Sequence, residues 1–230
     1  MDWDSYSYLH VYAPHAPQHP SFIIGNRQAL TDLCRLIDQA LRKDTANKGF
    51  FPSDNEGYDV YVGVVKNQMI FRSLEMPYTN QFGEANQQFH FINIQNDPSA
   101  PYSPGTLFEN RYKSVDKQHN TSWADNNYLQ MYASYTHHHE VFIIGNKQAL
   151  TTLCKLIDQA LTEDQAVDDF FASDDQGYNV CVAVIAEEAI FQSLEMPYTE
   201  QFGEINLYLY YAKLNDKTQP PYSPVILFPE

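Results

Sequence analysis

Residues 22–43 read FIIGNRQALTDLCRLIDQALRK, a short apolar run followed by a glycine, an asparagine and a long amphipathic pattern. The apolar run predicts a buried strand, and Asn26 can accept hydrogen bonds from the free amides that begin a helix. Apolar side chains then recur at steps of three and four residues, which predicts a helix from about Arg27 to Lys43. The stretch therefore predicts a strand, a turn and one helix with a broad apolar face.

The same stretch returns 120 residues later. Residues 142–163 read FIIGNKQALTTLCKLIDQALTE, and the segment at 76–79 returns at 196–199 with the same offset. A constant offset indicates a tandem repeat whose unit is about the size of a small domain. The helices differ at their ends, because Arg42 and Lys43 suit the negative end of the helix dipole and the second copy lacks them. We therefore expect the second helix to end earlier.

Each copy predicts the same set of elements around its helix. Alternating residues predict strands over 6–13 and 58–64, a hairpin partner over 69–75 and a last strand over 89–94, with a polar loop over 48–57. We expect an α+β protein of two tandem homologous lobes, each a mainly antiparallel sheet with one long helix on a face, related by a pseudo-twofold axis. The expected boundaries are 1–104 for lobe one, 105–127 for the linker and lead-in segment, and 128–230 for lobe two.

Composition favours a globular protein. The chain has 230 residues, of which 43% are hydrophobic and 19% charged, which excludes a disordered acidic tail. Its apolar runs are far shorter than the roughly 20 residues that span a bilayer, and its acidic first residues lack a secretion-signal pattern. Cys34 and Cys154 fall within the apolar helix patterns, without metal-motif spacing. We expect buried thiols and a cytoplasmic location.

The net charge of −15 is unevenly distributed. Residues 121–230 carry 4 basic and 16 acidic residues, a net charge of −12, whereas residues 1–110 carry −5 and residues 111–120 carry +2. Nucleic acids and anionic membranes are bound through Lys and Arg, so both are disfavoured as partners. An acidic surface attracts cations or a basic protein. Solubility alone would also explain the charge.

Two clusters of polar side chains have simple structural explanations. The three side chains of His137-His138-His139 diverge in regular structure, so they predict a solvated loop and not a metal site. Carboxylates beside a glycine occur at Asp54-Glu56 and at Asp174-Asp175, where a turn before a strand explains them. The twelve-residue calcium loop is absent.

The loop from Glu75 to Glu84 is also shared by the copies, and it returns from Glu195 to Glu204. It combines carboxylates, a phenol, a hydroxyl and an amide after a strand, where binding sites often lie. A polar network that fixes the loop would use the same residues. The chain contains no nucleophile elbow, zinc-protease motif, phosphate loop or dinucleotide fingerprint, which disfavours an enzyme, and we expect no catalytic residue, metal or cofactor. The candidate binding residues are Glu75, Tyr78, Glu84, Glu195, Tyr198, Glu204, Asp174 and Asp175.

Four segments carry a family resemblance: Gly25-x-x-x-Ala29-Leu30-x-x-Leu33, Ile37-Asp38-x-Ala40-Leu41, Glu56-Gly57-Tyr58-x-Val60-x-Val62 and Met76-Pro77-Tyr78. In them the chain resembles small acidic bacterial proteins of the immunity type, which often accompany secreted toxins. The resemblance implies a non-catalytic protein that binds and neutralises a toxin, and the charge favours a basic one.

Two other functions stay open at this stage. One is a small-ligand or metal-binding protein that uses the loop from Glu75 to Glu84 and its copy. The other is a structural protein that self-associates through its aromatic sheet faces. The chain is expected to be either a monomer with pseudo-dimeric lobes or a homodimer.

Overall fold

The structure, a computed structural model, describes residues 3–78, 107–108, 121–134, 137–198 and 227–228. In the first half these form β1 (Leu9–Tyr12), β2 (Ser21–Gly25), α1 (Arg27–Lys43), β3 (Thr45–Phe50), β4 (Tyr58–Val64) and α2 (Gln68–Arg72). In the second half they form α3 (Thr121–Asp125), β5 (Leu129–Tyr132), β6 (Val141–Gly145), α4 (Lys147–Glu163), β7 (Gln165–Phe171), β8 (Gly177–Val184) and α5 (Glu188–Gln192). The strand expected over 89–94 lies outside the described residues.

The eight described strands form two four-stranded mixed sheets. Sheet I has the order β1-β2-β8-β7, and sheet II has the order β3-β4-β6-β5. In both, the outer pairs are antiparallel and the central pair is parallel. The α+β class with two sheets is thus confirmed. Each sheet takes two strands from each half of the chain, so the expected boundaries at 1–104 and 128–230 divide the sequence and not the sheets.

The contacts between the halves are reciprocal. Ser21 of β2 lies opposite Val180 of β8 in sheet I, and the residues at the equivalent positions, Val141 and Val60, lie opposite each other in sheet II. When residue i of one unit meets residue j of the other and the reverse also holds, the two units are related by a twofold operation. Here that operation relates two halves of one chain.

Both long helices begin at a buried asparagine. The Asn26 side-chain oxygen accepts from the Ala29 amide at 2.8 Å, and the Asn26 amide group donates to the carbonyl oxygens of Trp3 (2.6 Å) and Tyr6 (2.7 Å). One side chain therefore caps the helix and also holds the segment that leads into β1. The extent of α1 predicted from the sequence is confirmed.

The expected early end of α4 is wrong, since α1 and α4 both have 17 residues. The Arg27 guanidinium at the start of α1 donates to the Leu161 carbonyl oxygen near the end of α4 at 2.6 Å. The last turn of α4 has no basic residue of its own, and a cation from the antiparallel neighbour stabilises its negative end instead. Both helices end at an aspartate whose backbone has the left-handed conformation, Asp44 for α1 and Asp164 for α4.

The inner faces of both sheets pack with α1 and α4 in one central core. The outer faces are covered by aromatic clusters under the short helices, in which Trp3 stacks on Tyr8 and Trp123 stacks on Tyr128, both with ring centroids 4.9 Å apart. Among the helices of the described residues, none has the length and apolar character to cross a membrane.

Two predicted elements differ from the structure. The polar loop expected over 48–57 begins instead as the edge strand β3, in which Ala46 and Phe50 are buried and the polar residues face solvent. Segment 68–72 is the short helix α2 and not a hairpin strand. The Asn67 side chain accepts from the Met69 amide at 2.8 Å, but the equivalent helix α5 forms without a side-chain cap, so this cap does not decide the outcome.

The expectation of separate buried thiols at Cys34 and Cys154 is also wrong. The two residues lie where α1 crosses α4, with a Cα–Cα distance of 5.4 Å, and a disulfide joins them. The pseudo-twofold relation explains the bridge, because it places equivalent residues of the two helices against each other. Cys181 is a free, buried cysteine.

Candidate functional site

Two equivalent loops, residues 51–57 and 172–176, each meet a buried tyrosine from the opposite half of the chain. The Tyr198 hydroxyl donates to Asp54 Oδ2 at 2.6 Å, and the Tyr78 hydroxyl donates to Asp174 Oδ2 at 2.8 Å. Both tyrosines are almost inaccessible to solvent. Each tyrosine belongs to a segment that follows a short helix, so these bonds attach that segment to the neighbouring sheet loop.

The first of these places, the histidine corner, consists of Asp54, Glu56, His137, His138 and Tyr198. His137 Nδ1 lies 2.9 Å from Asp54 Oδ2, and the His137 and Tyr198 ring centroids lie 4.6 Å apart. His138 Nε2 lies 2.6 Å from Glu56 Oε2, and its Nδ1 lies 3.0 Å from the Gly57 carbonyl oxygen. Both ring nitrogens of His138 thus face oxygen acceptors.

The second place, the arginine corner, consists of Arg72, Tyr78, Tyr128, Asp174 and Asp175. The Arg72 guanidinium pairs with Asp175 Oδ2 at 2.5 Å, and the Tyr128 hydroxyl donates to Asp175 Oδ1 at 2.9 Å. Burial raises the pKa of Asp174, partly opposed by the hydrogen bonds from the Gln176 amide and Tyr78. Burial and the nearby Asp174 charge raise the pKa of Tyr78, which keeps its hydroxyl a donor.

The two corners differ by paired replacements. Where His138 contacts Glu56 in the histidine corner, Gln18 and Gln176 occupy the equivalent positions, and their side chains hydrogen-bond at 2.7 Å. A histidine–carboxylate contact in one corner is thus a neutral amide pair in the other. Partly exposed ion pairs contribute only about 0–1 kcal/mol, so the exchange changes local charge more than stability.

A layer of buried polar groups lies beneath both corners. Under the histidine corner, His10 Nε2 accepts from the Ser53 amide at 3.0 Å, and His10 Nδ1 lies 2.8 Å from the Tyr12 hydroxyl oxygen. The Tyr12 hydroxyl donates its one proton to the Glu195 carbonyl oxygen at 2.5 Å. In the hydrogen bond between His10 and Tyr12, His10 Nδ1 must therefore be the donor and the Tyr12 oxygen the acceptor. Burial lowers the pKa of His10 to about 3, and the ring is therefore neutral.

Beneath the arginine corner, Gln130 takes the place of His10. Its amide donates to the Ser173 hydroxyl at 3.1 Å and to the Glu75 carbonyl oxygen at 3.3 Å. The Tyr132 hydroxyl donates to the same carbonyl at 2.5 Å, as Tyr12 does to Glu195. Burial raises the pKa of the Glu75 carboxyl. Glu75 and Glu195 thus contribute backbone carbonyls to a structural network.

The structure distributes the residues predicted from the sequence between the two corners. Glu75 and Tyr78 lie with Asp174 and Asp175, a grouping that the sequence analysis did not predict, whereas Tyr198 and Glu195 lie with Asp54 in the other corner. Glu84 and Glu204 lie outside the described residues. The sequence analysis missed the roles of Arg72, His137 and His138. The signal that could have revealed them is the set of paired replacements between the copies, since such pairs indicate contact.

A third feature, the acidic face, consists of Asp158, Glu163, Asp164, Asp168 and Asp169. All five are exposed: Asp158 lies within α4, Glu163 and Asp164 lie at its end, and Asp168 and Asp169 lie in β7, a strand at the edge of sheet I. The equivalent first-half residues, here called the matched face, are Asp38, Lys43, Asp44, Lys48 and Gly49, also exposed. The acidic face carries five negative charges, and the matched face carries two of each sign.

The three features differ in how their ionisable groups are held. In each corner the ionisable groups are paired with one another, and the carboxylates of the acidic face are exposed. The described residues contain one group of three converging metal-type ligands, Cys34, Cys154 and Asp158. The imidazoles of His137 and His138 instead contact different carboxylates. Comparison of the chain with protein-family models, curated proteins and solved structures finds no match to any of them.

Proposed function

We propose that the protein is a non-catalytic binding module that engages a basic protein through its acidic face. By the resemblance described above, the partner is a secreted toxin that the protein neutralises. The observation that carries the proposal is the contrast between the acidic face and the matched face. The two share one local fold, but the contrast has a structural cause at one position, because Lys48 pairs with the buried Asp32 at 2.8 Å and Thr152 replaces Asp32 in the second half.

The position of the acidic face supports a protein partner. Val167, which precedes Asp168 in β7 and shares its side of the strand with Asp169, is 51% exposed and is one of few large exposed apolar side chains in the described residues. An exposed apolar side chain near a carboxylate offers both a contact that can be desolvated and long-range attraction for a cationic surface. Steering by such charges raises association rates and is weakened by salt.

The chain itself supplies the test variant. Glu163→Lys with Asp168→Lys places on the acidic face the residues found at the matched positions, Lys43 and Lys48. These lysines are compatible with the same local backbone in the first half, so the variant should fold. Glu140→Lys with Glu187→Lys changes the net charge equally at two exposed positions elsewhere and is the control.

The experiment is affinity capture from lysate of the source organism at low and high salt, read by mass spectrometry. The proposal expects one stoichiometric basic protein whose capture decreases with salt, fails with the acidic-face variant and persists with the control. Equal capture by both variants, or capture of nothing by the unmodified chain, contradicts it. Once the partner is identified, the purified partner should bind the unmodified chain and the control variant more tightly than it binds the acidic-face variant.

Self-association is the main competing explanation for the exposed apolar side chains. We propose a monomer, because the twofold relation is already satisfied within one chain. Light scattering of the purified protein over a wide concentration range measures its molecular mass in solution. A mass that doubles with concentration contradicts the proposal and favours a homodimer.

The cytoplasmic location stays a prediction from the sequence. The Cys34–Cys154 disulfide weighs against it, because disulfides persist mainly in oxidising compartments. Alkylation of free thiols in intact source cells before lysis decides the question. Labelling of both cysteines supports the cytoplasm, and protection of both contradicts it.

A further inference from the structure

The crossing point of α1 and α4 brings together three side chains whose ligand atoms suit a soft metal ion. The sulfurs of Cys34 and Cys154 and a carboxylate oxygen of Asp158 all lie within 4.8 Å of one another. Cys34 Sγ lies 3.6 Å from Asp158 Oδ1. The three residues come from both halves of the chain, so the folded state alone assembles the group.

The group lies on two long helices that pack in the central core. Both cysteines lie within 17-residue helices whose apolar faces form the central core, and the Arg27 contact with the Leu161 carbonyl fixes the antiparallel arrangement. Cys34 is nearly buried and Asp158 is exposed, which gives an ion a path from solvent to the sulfurs. Asp38 occupies the position on α1 equivalent to that of Asp158 on α4.

Two thiolates and a carboxylate are ligands that favour zinc and cadmium over magnesium or calcium. Tetrahedral coordination with zinc–sulfur bonds of about 2.3 Å requires sulfurs about 3.8 Å apart, against about 2 Å in a disulfide. Rotation about the Cα–Cβ bonds can supply this separation, since each sulfur is displaced by only about 1 Å.

We propose that the reduced Cys34–Cys154 pair and Asp158 bind a thiophilic divalent cation such as Zn²⁺, and that disulfide and metal site are alternative states of the same residues. A dithiol reductant breaks the Sγ–Sγ bond through a mixed disulfide, supplies two electrons and two protons, and becomes a disulfide itself. The cation then binds both sulfurs and releases the two thiol protons.

The test is titration of the full-length protein with Cd²⁺ after reduction and removal of the reductant without oxygen. Cadmium bound to thiolates gives an ultraviolet charge-transfer band that imidazoles and carboxylates do not give, so the histidine corner does not contribute. Burial raises the pKa of the free Cys181 thiol to about 12, and this residue should not compete. The expected result is a band that saturates at one ion per chain.

Three comparisons decide the result. The oxidised protein and the reduced Cys154→Ser variant should not give the saturating band. Asp158→Asn changes an exposed side chain that should not affect folding, and it should raise the Cd²⁺ dissociation constant by about tenfold or more. Asp38→Asn is the matched control and should change that constant less than Asp158→Asn does. Absence of the band in the reduced protein, its persistence in Cys154→Ser, or an unchanged affinity in Asp158→Asn overturns the proposal.

Discussion

Replacing His10 with glutamine should remove much of the acid sensitivity of the protein. His10 is fully buried, accepts a hydrogen bond from the Ser53 amide, and has a pKa lowered to about 3 by burial. The unfolded chain should bind a proton at the ordinary histidine pKa of about 6.5. Between these values the unfolded state gains a proton that the folded state cannot accept, so stability decreases as the pH falls.

The magnitude follows from the two pKa values. At pH 4.5 the unfolded imidazole lies two pH units below its pKa, which corresponds to about 2.7 kcal/mol of stability lost relative to pH 7.5. The loss would approach about 5 kcal/mol near pH 3, where the folded protein also begins to bind the proton. Glutamine, the residue at the equivalent position 130, does not titrate.

The assay is urea unfolding followed by tryptophan fluorescence from pH 4.5 to 7.5. The unmodified protein should lose about 2.7 kcal/mol more over this range than His10→Gln does. The variant also changes the bond from Ser53, so the comparison uses the pH dependence and not the absolute stability. His139→Gln, at an exposed position, should retain the full acid loss. Parallel profiles for His10→Gln and the unmodified protein would refute the reasoning.

Three further predictions concern the connections between elements. Replacing Cys34 and Cys154 together with serine should lower the free energy of unfolding by up to about 5 kcal/mol, because the bridge closes a loop of about 120 residues. Urea unfolding measures this free energy, and a decrease of less than about 1 kcal/mol contradicts the prediction. Gly25→Ala should lower the free energy of unfolding by about 1–3 kcal/mol, because the new Cβ would lie 2.6 Å from a backbone carbonyl oxygen. Thermal unfolding measures the effect, with Gly49→Ala as the control because its new Cβ would make only ordinary contacts. Asn26→Asp keeps the helix cap but loses both hydrogen bonds donated to the segment before β1, so it should lower the free energy of unfolding by about 2 kcal/mol or more. In urea unfolding, equal stability of the variant and the unmodified protein would contradict this.

Local patterns predicted the elements whose signals lie within a few residues. The helix from Arg27 to Lys43 has a cap, a continuous apolar period and a charged end, and the structure places its bounds where the sequence does. The strand at Thr45–Phe50 was missed, because its exposed residues are polar and only Ala46 and Phe50 face the core. An edge strand of this kind resembles a loop in composition.

Long-range pairing could not be predicted in this way. The alternation in Tyr58–Val64 indicates a strand but does not indicate that its parallel partner is Val141–Gly145 from the other half. The disulfide was missed for the same reason, since each cysteine fits a buried helix position. The repeat does contain information about contacts, because the change from Gln18 and Gln176 to His138 and Glu56 occurs on both sides of one contact.

The parallel pairing at the centre of each sheet has a consequence for synthesis on the ribosome. Ser21 of β2 pairs with Val180, which emerges about 160 residues later, a delay of about 10–30 s at ordinary translation rates. During that time β1 and β2 can form their hairpin, but the inner edge of β2 has no β8 to bond. Nascent chains should therefore expose an apolar strand edge until the second copy is made, and a chaperone that binds such edges would bind before residue 180 and dissociate after it.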